Sequence, residues 1–455
     1  MNTVTKPVVY VSWPLAPLTL SLVCTSLAEQ DISSEIVSSL PKSFFKLIQW
    51  STYDSIDHEL TKSRPFDVLS SSYTIRKALI RKHFLSRCIR SYITKHPESL
   101  LKNSVPRTWE LDIAYADELD EMWSDELWDL GNELDSDNPL KSHWWILKPG
   151  MADKGMGIRL FYSKEALQDI FEEFDRDSEG EESDMNDTSV STSQLRHFVV
   201  QEYLQYPLLL NPSHISHAKV QGSSMGHKFH LRVYCIAAGA LKLYMYTRIL
   251  ALFSSNPYTP PNQSNGSIDL TPHLTNTSLQ IDRGEAGVRL LDELAGCQIF
   301  SLAQDVNQTN AFTSGDIRFI KDQMANILAE TFKAALEMPV HFQALPNAFE
   351  LYGVDFLVSH EPYAMGPTKD PPINPPFQVR LLEVNAEPAI ELTGARLTWI
   401  LEDLFKAIGQ VCVHPHFCES TEEGIDAESA DWAVGEVRYN LHKCLEVQVR
   451  GSGGW

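Results

Sequence analysis

The stretch Val379-Arg380-Leu381-Leu382-Glu383-Val384-Asn385-Ala386-Glu387-Pro388 decides how the chain is read. An apolar run carries a carboxylate and a carboxamide two residues apart, then stops at Ala-Glu-Pro. In a strand, residues i and i+2 lie on one face, so Glu383 and Asn385 point the same way at the end of a buried strand. Both offer oxygen to a hard cation, and Mg²⁺ takes few protein oxygens when substrate phosphates supply the rest. An Asx turn that ends a strand has the same composition. The pair alone leaves both readings open.

A second acid lies upstream. Glu350-Leu351-Tyr352-Gly353-Val354-Asp355-Phe356-Leu357-Val358 reads as a strand with Asp355 in its interior. A buried carboxylate needs a partner. A cation shared with Glu383 and Asn385 would supply one, and an arginine such as Arg380 would supply another.

Further upstream, Trp144-Trp145-Ile146-Leu147-Lys148-Pro149 is a strand ending in a lysine, and Arg159 to Tyr162 resumes a strand. The glycines between them, Gly150, Gly155 and Gly157, let backbone N–H groups approach phosphate oxygens, and Lys148 and Lys154 add charge. The spacing is neither that of a P-loop nor that of a dinucleotide fingerprint, since no helix follows the glycines. A plain hairpin turn remains the alternative. Phe198 to Leu204 is an apolar strand turning polar, whose edge can meet a purine base or simply pair with a neighbour. In Lys228 to Cys235, the residues Lys228, His230, Arg232 and Tyr234 share one face, and Phe229, Leu231, Val233 and Cys235 the other. The return strand places Lys242, Tyr244, Tyr246 and Arg248 together, so one face of this hairpin reads as cationic and aromatic, suited to phosphate and carboxylate. His273-Leu274-Thr275-Asn276 lies in a polar loop, where Thr and Asn cap a helix or bond a ligand.

Composition narrows the class. With 455 residues, two or three subdomains are expected, and 43% hydrophobic content supports globular cores. The stretch Pro7 to Leu27 is apolar but carries three prolines, so it reads as a strand and helix of the core rather than a signal peptide. The seven cysteines form no Cys-x-x-Cys pair, against structural zinc and a disulfide framework and in favour of a reducing compartment. A net charge of −22 disfavours nucleic acid as partner. No membrane partner is expected, and the expected location is cytoplasmic.

Val8 to Trp13 and Phe66 to Leu69 read as strands, and Ile75 to Ile93 as one basic amphipathic helix whose Arg76, Arg87 and Arg90 make either a solvated face or a patch for phosphate or an acidic tail. Ala395 to Val413 is a second amphipathic helix. The expected organisation is α/β (α+β): an N-terminal subdomain over 1–108, a central one over 109–205 with an acidic flexible insertion at 172–194, a C-terminal one over 206–415 with loops at 254–272 and 361–377, and an extension over 416–455.

Taken in order, the motifs resemble the tubulin-tyrosine-ligase-like family of ATP-grasp enzymes, in a fungal-type form. The match rests on Trp-Ile-Leu-Lys-Pro with Lys-Gly-x-Gly-Ile, Val-Gln-Glu-Tyr-Leu, Lys-Phe-x-Leu-Arg, His-Leu-Thr-Asn, Glu-x-x-Gly-x-Asp and Leu-Leu-Glu-Val-Asn, over about Trp144 to Val413. Arg81-Lys82 resembles the family's N-terminal region more loosely. The resemblance implies a nucleotide held between the central and C-terminal mixed sheets, with ATP and Mg²⁺ as cofactors. It implies that Lys82, Lys148 and Lys154 hold phosphates, and that Gln201, Tyr203 and Leu204 line the adenine pocket. Lys228, His230, Thr275 and Asn276 would lie about the nucleotide. Arg232 and Arg248 would act in catalysis, and Asp355, Glu383 and Asn385 would bind the metal. Many members carry Asp where this chain has His230.

The implied chemistry joins a carboxylate to an amine through an acylphosphate, with tyrosine added to an acidic tail of α-tubulin as the favoured reaction. Glutamylation or another acceptor is one alternative. A nucleotide-binding adaptor of mRNA-decay or cytoskeletal assemblies is the other.

Overall fold

The computed structural model describes residues 6–30, 34–135, 143–150, 157–179, 196–212, 225–262, 268–275, 287–301, 311–360, 377–418 and 432–447. Three sheets organise them. The first is parallel, in the order β2-β1-β3-β4, from β1 Val8–Ser12, β2 Glu35–Val37, β3 Leu47–Ser51 and β4 Val68–Ser70. Parallel neighbours need a crossover, and the helix Pro17–Ala28, with Pro at its start, supplies the one between β1 and β2.

The second sheet is antiparallel, in the order β5-β8-β6-β7, from β5 Thr108–Asp112, β6 Trp145–Pro149, β7 Arg159–Phe161 and β8 His197–Glu202. Trp145, Leu147, Phe198 and Val200 pack on Leu167, Phe171 and Phe174 of the helix Lys164–Glu179. By alternation, Ile146, Lys148, Val199 and Gln201 take the opposite face.

The third sheet has nine strands: β9 Leu209–Leu210, β10 His227–Ala238, β11 Lys242–Tyr246, β12 Leu250–Phe253, β13 Val288–Leu290, β14 Phe349–His360, β15 Phe377–Ala386, β16 Val437–Arg438 and β17 Leu441–Glu446. Its axis is β10, paired antiparallel with β9, β11, β12 and β14. On one face Leu231, Val233, Val354, Phe356, Val379 and Leu381 pack against the helix Ser314–Leu336. This 23-residue helix has no counterpart among the expected elements, although Thr313 and Asp316 form a capping box at its start. On the other face Tyr234, Ile236, Tyr244 and Tyr246 pack with the helix Thr398–Ile408.

Strand β15 changes phase. Asp355 pairs with Glu383, but Phe356 pairs with Leu381, so Leu382 is an extra residue at a bulge. Val379 and Leu381 reach the helix Ser314–Leu336, and beyond the bulge Val384 does. Strict alternation from Leu381 would have sent Glu383 into that core. The bulge sends Glu383 and Asn385 to the face of Asp355, a use bulges often serve beside functional sites.

Several expectations change. The helix over Ile75 to Ile93 is two, Lys77–Ile80 and Lys82–Lys95, broken at Arg81, whose φ of −108° and ψ of 117° are extended. Its cations differ in setting, one buried and two exposed on an ion pair. Arg76 is buried against Glu350, and Arg87 and Arg90 both bind Glu110, at 2.8 and 3.0 Å. The acidic stretch expected to be flexible is helical up to Glu179, and its remainder lies outside the described residues. The extension over 416–455 contributes β16 and β17 to the large sheet. The loop at 361–376 lies outside the described residues.

Candidate active site

The bulge places Glu383, Asn385 and Asp355 together. Asn385 Nδ2 lies 3.2 Å from Glu383 Oε1 and 3.5 Å from Asp355 Oδ2. Arg380 does not pair with Asp355: it donates to Gln378 Oε1 at 2.7 Å, and the partner of Asp355 is Arg232. Arg232 Nη2 donates to Asp355 Oδ2 at 2.8 Å, and Nε donates to Oδ1. The two residues face each other across β10 and β14.

Lysines close the other sides. Lys82, at the start of its helix, lies 3.1 Å from Glu383 Oε2. Burial would raise the Glu383 pKa, but Lys82 and Lys148 outweigh burial and hold it well below the usual carboxylate range. Lys148 Nζ donates to Gln201 Oε1 at 2.6 Å, and Gln201 Nε2 to Thr108 Oγ1 at 3.2 Å. Burial brings Lys148 down to about 8, and burial with the neighbouring Lys148 brings Lys228 down to about 7. Lys228 Nζ donates to the Tyr203 hydroxyl at 3.2 Å, and that hydroxyl lies 2.9 Å from His273 Nδ1. Tyr203 belongs to an apolar wall with Trp144, Ile146 and Leu160, edged by Tyr258 and Leu274. Leu204 follows it, half-buried, two residues beyond the end of β8. His230 Nδ1 lies 2.5 Å from Thr275 Oγ1, and burial lowers the His230 pKa.

The expected cationic, aromatic hairpin face divides in two. Its first half, Lys228, His230 and Arg232, reaches the site. Tyr234, Tyr244 and Tyr246 are core, and Lys242 lies 3.8 Å from Glu446. Arg248 instead meets the helix Thr398–Ile408: its Nε donates to Asp403 Oδ2 at 3.3 Å, and its guanidinium lies 4.6 Å from the Trp399 ring centre. Asp403 also accepts from Tyr246 and Asn440, each at 2.8 Å. No sequence signal marks Asp403, because its partners come from β11, the chain just after it, and the turn before β17. Lys154 and Asn276 lie outside the described residues.

Around this cleft four cations, Lys82, Lys148, Lys228 and Arg232, face two carboxylates, Asp355 and Glu383. A chain of charge −22 thus holds a locally positive cleft, the field that a polyphosphate requires. Among the described residues no three His, Cys, Asp or Glu side chains form a ready metal group. The donor set still fits Mg²⁺, which binds through one or two carboxylates plus substrate phosphates rather than in an all-protein cage. Asp355, Glu383 and the Asn385 carboxamide would hold it.

The model of the tubulin-tyrosine ligase family matches residues 61–421. The chain is 36% identical over 417 residues to a probable tubulin–tyrosine ligase of Saccharomyces cerevisiae, PBY1, covering 86% of this chain and 50% of that protein. It thus spans about half the length of that relative. It is 36% identical over 394 residues to a probable tubulin–tyrosine ligase of Schizosaccharomyces pombe, covering 84% of this chain and 86% of that one. Its fold is similar to the crystal structure of the C-terminal domain of K. lactis Pby1, described as an ATP-grasp enzyme interacting with the mRNA decapping enzyme Dcp2. That likeness has a TM-score of 0.65 and 29% identity and covers 97% of this chain and all of that one. The sheets that enclose the cleft are therefore an ATP-grasp fold, and the chain belongs to the tubulin-tyrosine ligase family.

Proposed function

We propose that the chain is an ATP-dependent carboxylate–amine ligase, and that it adds tyrosine to the acidic C-terminal tail of α-tubulin. The observation that carries this reading is the meeting of Asp355, Glu383 and Asn385 with Lys82, Lys148, Lys228 and Arg232 in one cleft. Lys148, Lys82 and Lys228 bind the phosphates, and the apolar wall at Tyr203 receives the adenine. A divalent cation, when bound, offsets phosphate charge as a Lewis acid. An acceptor carboxylate oxygen attacks the terminal phosphorus, and ADP leaves. Charge grows on the transferred oxygens, where Arg232 can meet it. The amine nitrogen then attacks the acyl carbon, loses a proton and expels phosphate, leaving an amide. No side-chain nucleophile is needed. The same chemistry with another amino acid or acceptor, glutamylation included, uses the same cleft.

A second reading is favoured by the likeness to a domain described as interacting with Dcp2: a nucleotide-binding component of an mRNA-decay assembly, without ligase turnover. One experiment separates the two. ADP release is measured with a panel of amino acids and acidic tail peptides, beside Glu383→Gln. Release that requires both an amino acid and a peptide, and that is lost in Glu383→Gln, supports the ligase. ATP binding without release across the panel supports the second reading.

A further inference from the structure

Glu387, two residues beyond Asn385, has a left-handed backbone, with φ of 49°. Among the described residues two other non-glycine residues share that sign, Tyr439 and Asn440. They form the two-residue loop between β16 and β17, where a tight hairpin favours positive φ. No hairpin accounts for Glu387. A Cβ is unfavourable in that conformation, and a residue before proline, here Pro388, prefers extended backbone. Strain of this kind persists only where surrounding contacts impose it, and it gathers at functional sites.

The contacts that impose it come from the N-terminal parallel sheet. Glu387 Oε1 accepts from the Tyr53 amide at 2.9 Å. Tyr53 lies just beyond the end of β3, its hydroxyl donates to Thr74 O at 2.9 Å, and the Arg76 guanidinium lies over its ring. Four residues on, Glu391 Oε1 accepts from the Thr19 amide and hydroxyl at 3.0 and 3.2 Å, and Oε2 from the Leu18 amide at 3.3 Å. The helix Pro17–Ala28 has no side-chain cap beside it in sequence, so Glu391 satisfies its first amides from a remote part of the chain. In the order β2-β1-β3-β4 the chain reverses direction between β1 and β3. The carboxyl ends of strands at such a reversal are where an open α/β sheet ordinarily receives a ligand. Here Glu391 takes the segment after β1 and Glu387 the segment after β3.

Between the two anchors Pro388 packs over Gly353, which Arg232 also overlies, and Ile390 is buried in the core. We propose that Glu387 is a positioning residue of the cleft: held on the Tyr53 amide, it fixes the exit of β15, and with it the place of Asn385 and the seat of Pro388 beside Arg232. The proposal rests on the nucleotide reading above. Release of the carboxylate frees residue 387 to become extended, which turns Pro388 away from Gly353 and loosens Asn385 against Asp355. The N-terminal sheet thereby holds the cleft in its nucleotide-binding form without touching the nucleotide.

The test uses the whole chain and a non-hydrolysable ATP analogue. Glycine relieves the left-handed turn and deletes the carboxylate, whereas glutamine keeps an oxygen for the Tyr53 amide. Glu387→Gly is expected to melt within about 4 °C of the wild type, since relief of the turn offsets the lost hydrogen bond. It is expected to bind the analogue about fivefold more weakly, while Glu387→Gln stays within about twofold of the wild type. Linkage demands the reverse effect: the analogue slows hydrogen exchange at the Tyr53 amide of the wild-type protein by about the same fivefold. Wild-type affinity in Glu387→Gly, or a loss in Glu387→Gln equal to that in Glu387→Gly, would overturn the proposal. So would protection by the analogue that reaches Lys148 and Asn385 but not Tyr53, an outcome that leaves the nucleotide reading standing. No binding of the analogue to the wild type would remove both. The exchange measurement on the wild-type protein decides the point even where the variants do not fold.

Discussion

Arg232 and Asp355 stand opposite each other on β10 and β14, and the guanidinium holds both carboxylate oxygens. The carboxylate is 3% exposed and the arginine side chain 17%. The protein without ligand therefore already neutralises the acid that a cation would later share. Arg232 is thus a structural partner of Asp355 as well as the group proposed to meet the charge of the transfer.

Removing the arginine leaves an uncompensated buried charge. Arg232→Met is expected to destabilise the fold by about 3–5 kcal/mol in urea denaturation. Adding Asp355→Asn should restore part of that loss, a coupling on the order of 1–3 kcal/mol. Additive losses would mean that the pair does not act as a unit.

Nucleotide binding should weaken as pH rises. Lys148 at about 8 and Lys228 at about 7 are partly neutral in the free protein above neutrality. Triphosphate favours their charged forms, so binding takes up protons, and affinity falls as pH rises from about 7 to 9. Calorimetry in buffers of different ionisation enthalpy measures that uptake. The linked effect on stability has the same origin. Unfolded lysine titrates near about 10.4, so between the folded and unfolded values the unfolded chain holds more protons, and stability rises with pH across that window. A flat binding profile over the range would count against these two lysines as phosphate groups.

Gly353 sits where β14 meets the end of β15. A Cβ there would lie 2.7 Å from Pro388 Cβ and 3.2 Å from Arg232 Cδ. Gly353→Ala must therefore displace Pro388, Arg232 or both, at a cost of about 1–3 kcal/mol. Because Arg232 orders Asp355, the same change is expected to weaken nucleotide binding, read by titration of the folded variant. Unchanged affinity in a destabilised variant would assign the contact to packing alone.

A second buried pair ties the N-terminal region to the large sheet. Arg76 donates to Glu350, which also accepts from Tyr352 at 2.7 Å and from the Tyr73 amide at 3.2 Å. The Arg76 guanidinium lies 4.0 Å from the Tyr53 ring centre. Arg76→Met is expected to destabilise by about 3–5 kcal/mol, since Glu350 is left charged in a dry site. Chemical denaturation of the variant checks this, with Arg87→Ala as a contrast expected to cost under about 1 kcal/mol because that arginine is half exposed.

Much of the site was legible in local pattern. Alternation along β10 separated Lys228, His230 and Arg232 from the apolar face that packs on the helix Ser314–Leu336. It could not say where the face stops being a cleft and becomes core, and Tyr234, Tyr244 and Tyr246 proved to be core because the helix Thr398–Ile408 covers them. The carboxylate partners of the basic stretch around Arg76 to Arg90 were not legible, because Glu350 and Glu110 are remote in sequence. Asp403, which holds Arg248, was silent for the same reason.

What the sequence determined by itself about Glu383 and Asn385 is that they share a face, since a two-residue spacing in a strand allows nothing else. Which face was a tertiary decision. The extra residue Leu382 shifts the phase of β15 against β14, and only that register turns the pair from the core toward Asp355. Side-chain alternation is a property of one strand, whereas register belongs to two strands and to the helix that must bury Val379, Leu381 and Val384 on a single side.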